Sequence, residues 1–326
     1  MNQIINLLKN SNHILIASHA NPDGDAIGAL VALGISLETL NKKATLYNES
    51  PIPAIYRFLP AVDHIVRHID DPNPFDTAVV LDCGNLERIG KAVPIISRIP
   101  HIVNIDHHVS NIRFGEFHLV DPSACATSEI VYRLIRRMEA DIDLATATSI
   151  YTGILTDTGS FRFSNTNKAA FDICAEMIAL GVEPYSIAQH VYGTYSLGRI
   201  KLLNLALDSI EISKNGRLSM MAVTQAMLNE TGTKPEDIDG FINYAKGIED
   251  VQVAALIQEL FNDRDDKKED QSHEHFHVSL RSNGTINVAE IASTFGGGGH
   301  SNAAGFSIES TLAHIKSNIS KLAEAL

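Results

Sequence analysis

The aspartates and histidines of this chain gather where they could do chemistry together. Asp106, His107 and His108 stand side by side in "VNIDHHVSN" (103–111). His19, Asp23 and Asp25 share "SHANPDGD" (18–25), Asp82 sits in "LDCGN" (81–85), and Asp157 in "TDTGSF" (156–161). Two histidines and four aspartates are the candidate ligands of a metal centre. Four carboxylates in one crevice repel one another unless cations offset them, and two divalent ions do so charge for charge. Mixed imidazole and carboxylate donors suit Mn, Zn, Fe or Co better than Ca or Mg, which favour all-oxygen shells. Taken singly, each stretch has a plainer reading. "NPDGD" is an ordinary turn, Asp82 could cap a helix, and adjacent histidines are often surface residues. Their arrival in order, each beyond an apolar element, is what points to metal.

Those elements read as strands at 13–19, 43–48, 76–84 and 101–108, with helical spacing over 25–40, 125–138, 143–156 and 167–180. The alternation predicts an α/β fold: an N-terminal doubly wound, mainly parallel sheet covered on both faces, with its ligand site beyond the carboxyl ends of the strands. Pro22 is expected to hold Asn21 extended, and Gly24 to permit a tight turn. Asp25 is expected near a helix N-terminus, where the dipole favours an anion, and Gly28 to leave room for a close approach. The N-terminal domain is placed at 1–185 and a helical linker at 186–210. A smaller C-terminal α+β domain follows at 211–326, with strands at 217–224, 251–260 and 276–282 and helices at 236–247, 288–295 and 311–326. The charged run 262–274 reads as a solvated hairpin loop.

The chain's 326 residues carry a formal net charge of −13, which argues against a broad electrostatic grip on long nucleic acid. No apolar run is long enough to span a bilayer, so no membrane partner is expected. The N-terminus lacks the features of a signal peptide. Three scattered cysteines, Cys83, Cys125 and Cys174, fit a reduced, cytoplasmic setting better than a disulfide framework. There is no G-x-S-x-G elbow and no nucleotide-triphosphate loop.

Toward the C-terminus, "GGGGHSNAAG" (296–305) surrounds one imidazole with small residues. Consecutive glycine N–H groups, Gly298 and Gly299 among them, could form an anion-binding nest beside His300. Arg281 ends the alternating segment "FHVSLRS" (276–282) and suits bidentate phosphate contact. His273, His275 and His277 alternate there as a surface strand face would. Arg162, in "SFRF" (160–163), is a further candidate substrate contact.

"SHANPDGDAIGAL", "LDCGN", "NIDHH", "GILTDTGSFRF" and "GGGGHSNAAG" together resemble the DHH phosphoesterases, and the last of them resembles the branch with a DHHA1 domain. The likeness runs in family order over essentially the whole chain and is strongest to the nanoRNase/pAp phosphatase group. It implies cytoplasmic hydrolysis of short single-stranded RNA to mononucleotides and of 3'-phosphoadenosine 5'-phosphate (pAp) to AMP and phosphate. A cyclic-dinucleotide phosphodiesterase is the alternative. The resemblance assigns one Mn-type ion to His19, Asp23 and Asp82. It assigns a second to Asp25, Asp82, His107 and Asp157, with Asp82 shared. His108 then faces the substrate phosphate, and Asp106 orients a neighbouring imidazole. The C-terminal domain would grip the rest of the nucleotide through Arg281, Gly298, Gly299 and His300 across an interdomain cleft. A homodimer is also implied. The acidic loop at 262–274 has no counterpart in the family pattern.

Overall fold

In the strands of the first unit, consecutive residues point to opposite faces. Ile14, Ile16, Val79, Leu81, Val103 and Ile105 enter one core, while Leu15, Ala17, Ala78 and Val80 enter a second core on the other side. A sheet buried on both faces requires near-continuous apolar strands, which is why these segments were legible as strands. The structure, a computed structural model, describes residues 1–193, 195–260 and 274–323. The charged run 262–274, apart from its last residue, and His273 lie outside the described residues. The chain divides into two compact units, Met1–Thr194 and Tyr195–Leu326.

The first unit runs α1 (Asn2–Asn10), β1 (His13–Ser18), α2 (Gly24–Thr39), β2 (Lys43–Tyr47), β3 (Thr77–Leu81), α3 (Val93–Ile96), β4 (His101–Asp106), β5 (Phe117–Val120), α4 (Thr127–Met138), α5 (Leu144–Asp157), α6 (Lys168–Ala179) and α7 (Pro184–Ala188). Its five strands lie in the order β2-β1-β3-β4-β5, and every pairing is parallel. Because β1, β3 and β4 are adjacent and parallel, their carboxyl ends share one edge. α2 is buried along almost its whole length. α4 is amphipathic instead, burying Ile130, Val131, Leu134, Ile135 and Met138 at helical spacing.

The approach of α2 to α5 depends on missing side chains. A Cβ on Gly28 would lie 2.4 Å from the Ser149 carbonyl oxygen. Gly24, expected in a tight turn, is instead in the first turn of α2, where a Cβ would collide with the Thr156 side chain at 2.4 Å.

The second unit runs α8 (Leu197–Asp208), β6 (Glu211–Ile212), β7 (Leu218–Val223), α9 (Gln225–Thr231), α10 (Ile242–Lys246), β8 (Val253–Glu259), β9 (Glu274–Ser282), α11 (Val288–Ser293), β10 (Gly298–His300), β11 (Ala303–Ser310) and α12 (Leu312–Ala323). Its sheet has the order β10-β11-β9-β8-β7-β6 and is mixed, with β7 and β8 parallel and the other pairs antiparallel. Within the segment read as a linker, α8 buries Leu202 and Ala206 in the core of this second unit. The helix expected at 236–247 is divided into a turn at Pro235–Ile238 and α10, because Gly240 between them takes φ +81°.

Gly28→Ala forces a methyl against rigid backbone, and overpacking of this kind destabilises by roughly 1–3 kcal/mol. Thermal melts should show a Tm lower by at least ~2 °C. An unchanged Tm would contradict the close approach of α2 and α5.

Candidate metal centre

His19, Asp82 and His107 each stand one residue beyond a strand, and Asp23, Asp25 and Asp157 stand at helix ends. His19 follows β1. Its Nδ1 is 2.9 Å from the Ala20 carbonyl oxygen, and its Nε2 lies 3.4 Å from Asp82 Oδ2. Asp82 follows β3 and bends away in the left-handed region, φ +57°, with its N–H donating to the Ile105 carbonyl at 3.0 Å. Such a backbone is uncommon outside glycine, although Asp tolerates it better than most, and it persists where surrounding contacts over-determine it. At the end of β4, His107 Nδ1 is 3.4 Å from the Ala124 carbonyl oxygen. Its Nε2 lies 3.5 Å from Asp157 Oδ2 and 3.8 Å from Asp82 Oδ1. In both rings, then, Nδ1 faces a backbone carbonyl and Nε2 faces carboxylates, the arrangement by which proteins orient imidazole ligands.

The helices supply the other carboxylates. Asp23 caps α2, its Oδ1 accepting from the N–H groups of Asp25 and Ala26 at 3.1 and 3.0 Å. Asp25, in the first turn of α2, also meets the N-terminus of α4. Its Oδ2 accepts from the Thr127 N–H at 2.6 Å and its Oδ1 from the Ser128 N–H at 2.8 Å. Asp157 is the last residue of α5, and its Oδ2 accepts from Asn165 Nδ2 at 3.0 Å. Asn21 corrects one expectation. It is left-handed, φ +54°, rather than extended, because its N–H donates to Ser50 Oγ at 2.8 Å and asparagine tolerates that region despite the following proline.

Two groups of donor atoms result: His19, Asp23 and Asp82 in one, and Asp25, His107 and Asp157 in the other, with the atoms of each within 4.8 Å of one another. Asp82 also groups with His107 and His108. Among the described residues, no lysine or arginine forms an ion pair with Asp23, Asp25, Asp82 or Asp157.

The charge state follows from this crowding. Burial raises Asp25 to about 7, and the Asp82 charge adds to that rise. Burial likewise raises Asp157, with Asp25 next in effect. Burial opposes the ionised form of Asp82 too, but His19, His108 and His107 together hold it well below the usual carboxylate range. Burial would lower His19, yet Asp82 and Asp23 lift it to about 9. His107 also overcomes burial and reaches about 9, through Asp157 and Asp82. These residues fit divalent cations: the imidazoles are already oriented, and no lysine or arginine among the described residues pairs with the acids.

His108 is placed differently. Its Nδ1 lies 2.7 Å from Asp106 Oδ1. The Asp106 Oδ2 accepts from Asn111 Nδ2 at 2.5 Å. Asp106 is fully buried. Burial opposes its ionised form, but the His108 hydrogen bond keeps its carboxyl low; His108 in turn is raised against burial, chiefly by Asp106.

The remaining candidates lie outside these donor groups. Arg162 is exposed, and its Nε donates to the Gly159 carbonyl at 2.6 Å. Arg281 is on β9 and half-buried, with a guanidinium N–H donating to the Leu280 carbonyl at 3.1 Å. Gly298 and Gly299 do not form the expected nest. They and His300 make up strand β10, in register with Gly305, Ala304 and Ala303 of β11, and a strand turns successive N–H groups to opposite sides instead of converging them. The side chain of His300 lies outside the described residues. Thr127, Asn111 and Asn165 were not anticipated. Thr127 falls within the helical spacing expected over 125–138, and nothing local reveals that its N–H serves Asp25 of α2 and its hydroxyl Asp82 beyond β3.

Sequence profiles of the DHH family N-terminal domain and of the DHHA1 domain match residues 13–154 and 219–326. The chain is 33% identical over 296 residues to the bifunctional oligoribonuclease and PAP phosphatase NrnA of Thermus thermophilus, covering 91% of this chain and 84% of the relative. It is 27% identical over 317 residues to the protein of the same name from Bacillus subtilis, covering 94% and 93%. An exopolyphosphatase-related protein from Bacteroides fragilis superposes with a TM-score of 0.89 at 27% identity, covering 99% of this chain and 95% of that one.

Metal uptake should release protons. Without metal, His19 and His107 carry protons at pH 7.5, and ligation requires neutral imidazole. Calorimetric Mn(II) titrations in buffers of different ionisation enthalpy should show at least about two protons released, those of His19 and His107, with any held by Asp25 and Asp157 adding to them. Affinity should climb from pH 7 to 9 and then level. Heats independent of buffer would contradict these charge states.

Proposed function

The chain belongs to the DHH family of phosphoesterases, in the branch that carries a DHHA1 domain, and from that premise we propose that it hydrolyses short RNA and pAp with two divalent ions, Mn(II) foremost. The observation that carries the reading is the meeting of two donor groups at one edge of the parallel sheet with Asp82 beside both. His19, Asp23 and Asp82 would hold one ion, and Asp25, His107 and Asp157 the other, with Asp82 shared. Bound there, divalent cations lower the pKa of water toward neutrality and offset the charge of a phosphate ester. The names of the Thermus and Bacillus relatives supply the substrate class.

The chain's own groups do the rest. His108, anchored by Asp106, which favours its protonated form, is the candidate catalytic residue. Its imidazolium can stabilise negative charge on the phosphate or pass a proton to the leaving oxygen. Asp106 fixes the ring, and Asn111 fixes Asp106. Arg281, Gly298, Gly299 and His300 are the proposed nucleotide contacts of the second domain, with Arg162 a further one from the first. The net charge of −13 supplies no extended basic track for a long strand, so short substrates are preferred. A cytoplasmic setting is supported by three buried cysteines without a disulfide. Among the described residues, no helix is long and apolar enough to cross a membrane.

The test is a panel with Mn(II): pAp, RNA of a few nucleotides, long RNA, pyrophosphate and cyclic-di-AMP. The kcat/KM for pAp and short RNA should exceed that for long RNA at least ~10-fold, the scale of losing one or two favourable contacts. Asp82→Asn should be inactive on all of them while keeping its fold by circular dichroism. A preference for cyclic-di-AMP would move the chain to the alternative substrate class, and an active Asp82→Asn would remove the shared-ligand role.

A further inference from the structure

Thr127 is fully buried and is the first residue of α4. It binds carboxylates of both donor groups. Its N–H donates to Asp25 Oδ2 at 2.6 Å, and its hydroxyl donates to Asp82 Oδ1 at 2.9 Å. Asp25 groups with His107 and Asp157, whereas Asp82 groups with His19 and Asp23. One residue therefore ties the two halves of the centre together.

The hydroxyl acts where Asp82 has most need of it. Asp82 Oδ2 lies 3.4 Å from His19 Nε2. Its Oδ1 faces the other half, 3.8 Å from His107 Nε2 and 3.4 Å from His108 Nδ1. His107 must give up any proton at Nε2 to become a ligand, and His108 Nδ1 is closer to Asp106, at 2.7 Å. Neither imidazole is a dependable donor to Oδ1 once cations are bound. The Thr127 hydroxyl keeps its proton throughout, and its own position is anchored through the backbone by Asp25.

We infer that Thr127 is a positioning residue that fixes the plane of the Asp82 carboxylate, so that one oxygen serves each half of the centre. The inference rests on the two-metal reading above. Without the hydroxyl, Oδ1 loses its anchor while Oδ2 stays at His19. The ion held by Asp25, His107 and Asp157 should then be weakened and the ion at His19 and Asp23 retained. Removing a group that orients a metal ligand lowers affinity by roughly 10–100-fold.

Mn(II) titrations followed by calorimetry and by electron paramagnetic resonance test this on the full chain. The parent and Thr127→Ser should each take up two ions with matching affinities and show a coupled two-ion signal. Thr127→Val should bind one ion as the parent does and the second roughly 10–100-fold more weakly, with an uncoupled Mn(II) signal at one equivalent. Thr127→Ala, which adds no new contact, should repeat that pattern and stands in if the valine variant fails to fold. A parent with two ions and hydroxyl-free variants that match it would overturn the inference alone. A parent that binds fewer than two ions would overturn the two-metal reading and the inference with it.

Discussion

Everything in the first unit is arranged around one carboxylate that has no business being charged where it is. Asp82 is 2% exposed, stands on a left-handed backbone, and has no lysine or arginine paired with it among the described residues. Burial alone would neutralise it. Three imidazoles and one hydroxyl keep it ionised instead. The cost moves to its neighbours: Asp25 and Asp157 are pushed up, and His19 and His107 hold protons they would otherwise release. A centre in this state is poised to exchange protons for cations.

The fold makes such crowding bearable by taking the residues from separate, rigid supports. Parallel β1, β3 and β4 deliver His19, Asp82 and the Asp-His-His run to one edge. Gly28 lets α2 lie against α5, so that Asp25 in the first turn of one helix and Asp157 at the end of the other share a donor group. Asp25 also receives two N–H groups at the start of α4, a helix terminus that favours an anion. Movement of any one support would separate the donor groups.

What could be read from the sequence, and what could not, divides along the range of the interactions. The strands ending at Ser18, Leu81 and Asp106 were legible because strands buried on both faces are written as continuous apolar runs. His19, Asp82 and the Asp-His-His run are legible because they stand at the ends of such runs, and Asp157 because an apolar helix breaks there. Asn21 departs from the expected extended geometry because the local bias of Pro22 yields to the hydrogen bond that the Asn21 N–H donates to Ser50, which is distant in sequence. The glycines at 296–299 carry no apolar alternation, so they suggest a nest; β10 forms through its pairing with β11, which pairs in turn with β9. Gly240 broke a helix that periodicity alone had joined. Thr127 lies inside the helical spacing at 125–138, and its contacts to Asp25 and Asp82 exist only in three dimensions.

The central claim, that Asp82 joins two metal half-sites, is tested most directly by anomalous diffraction from crystals of the protein grown with Mn(II). Two anomalous peaks should appear, one among His19, Asp23 and Asp82 and one among Asp25, His107 and Asp157, with a different oxygen of Asp82 at ~2.2 Å from each, the ordinary length of a metal–carboxylate bond. A single peak, or two peaks of which only one touches Asp82, would contradict it.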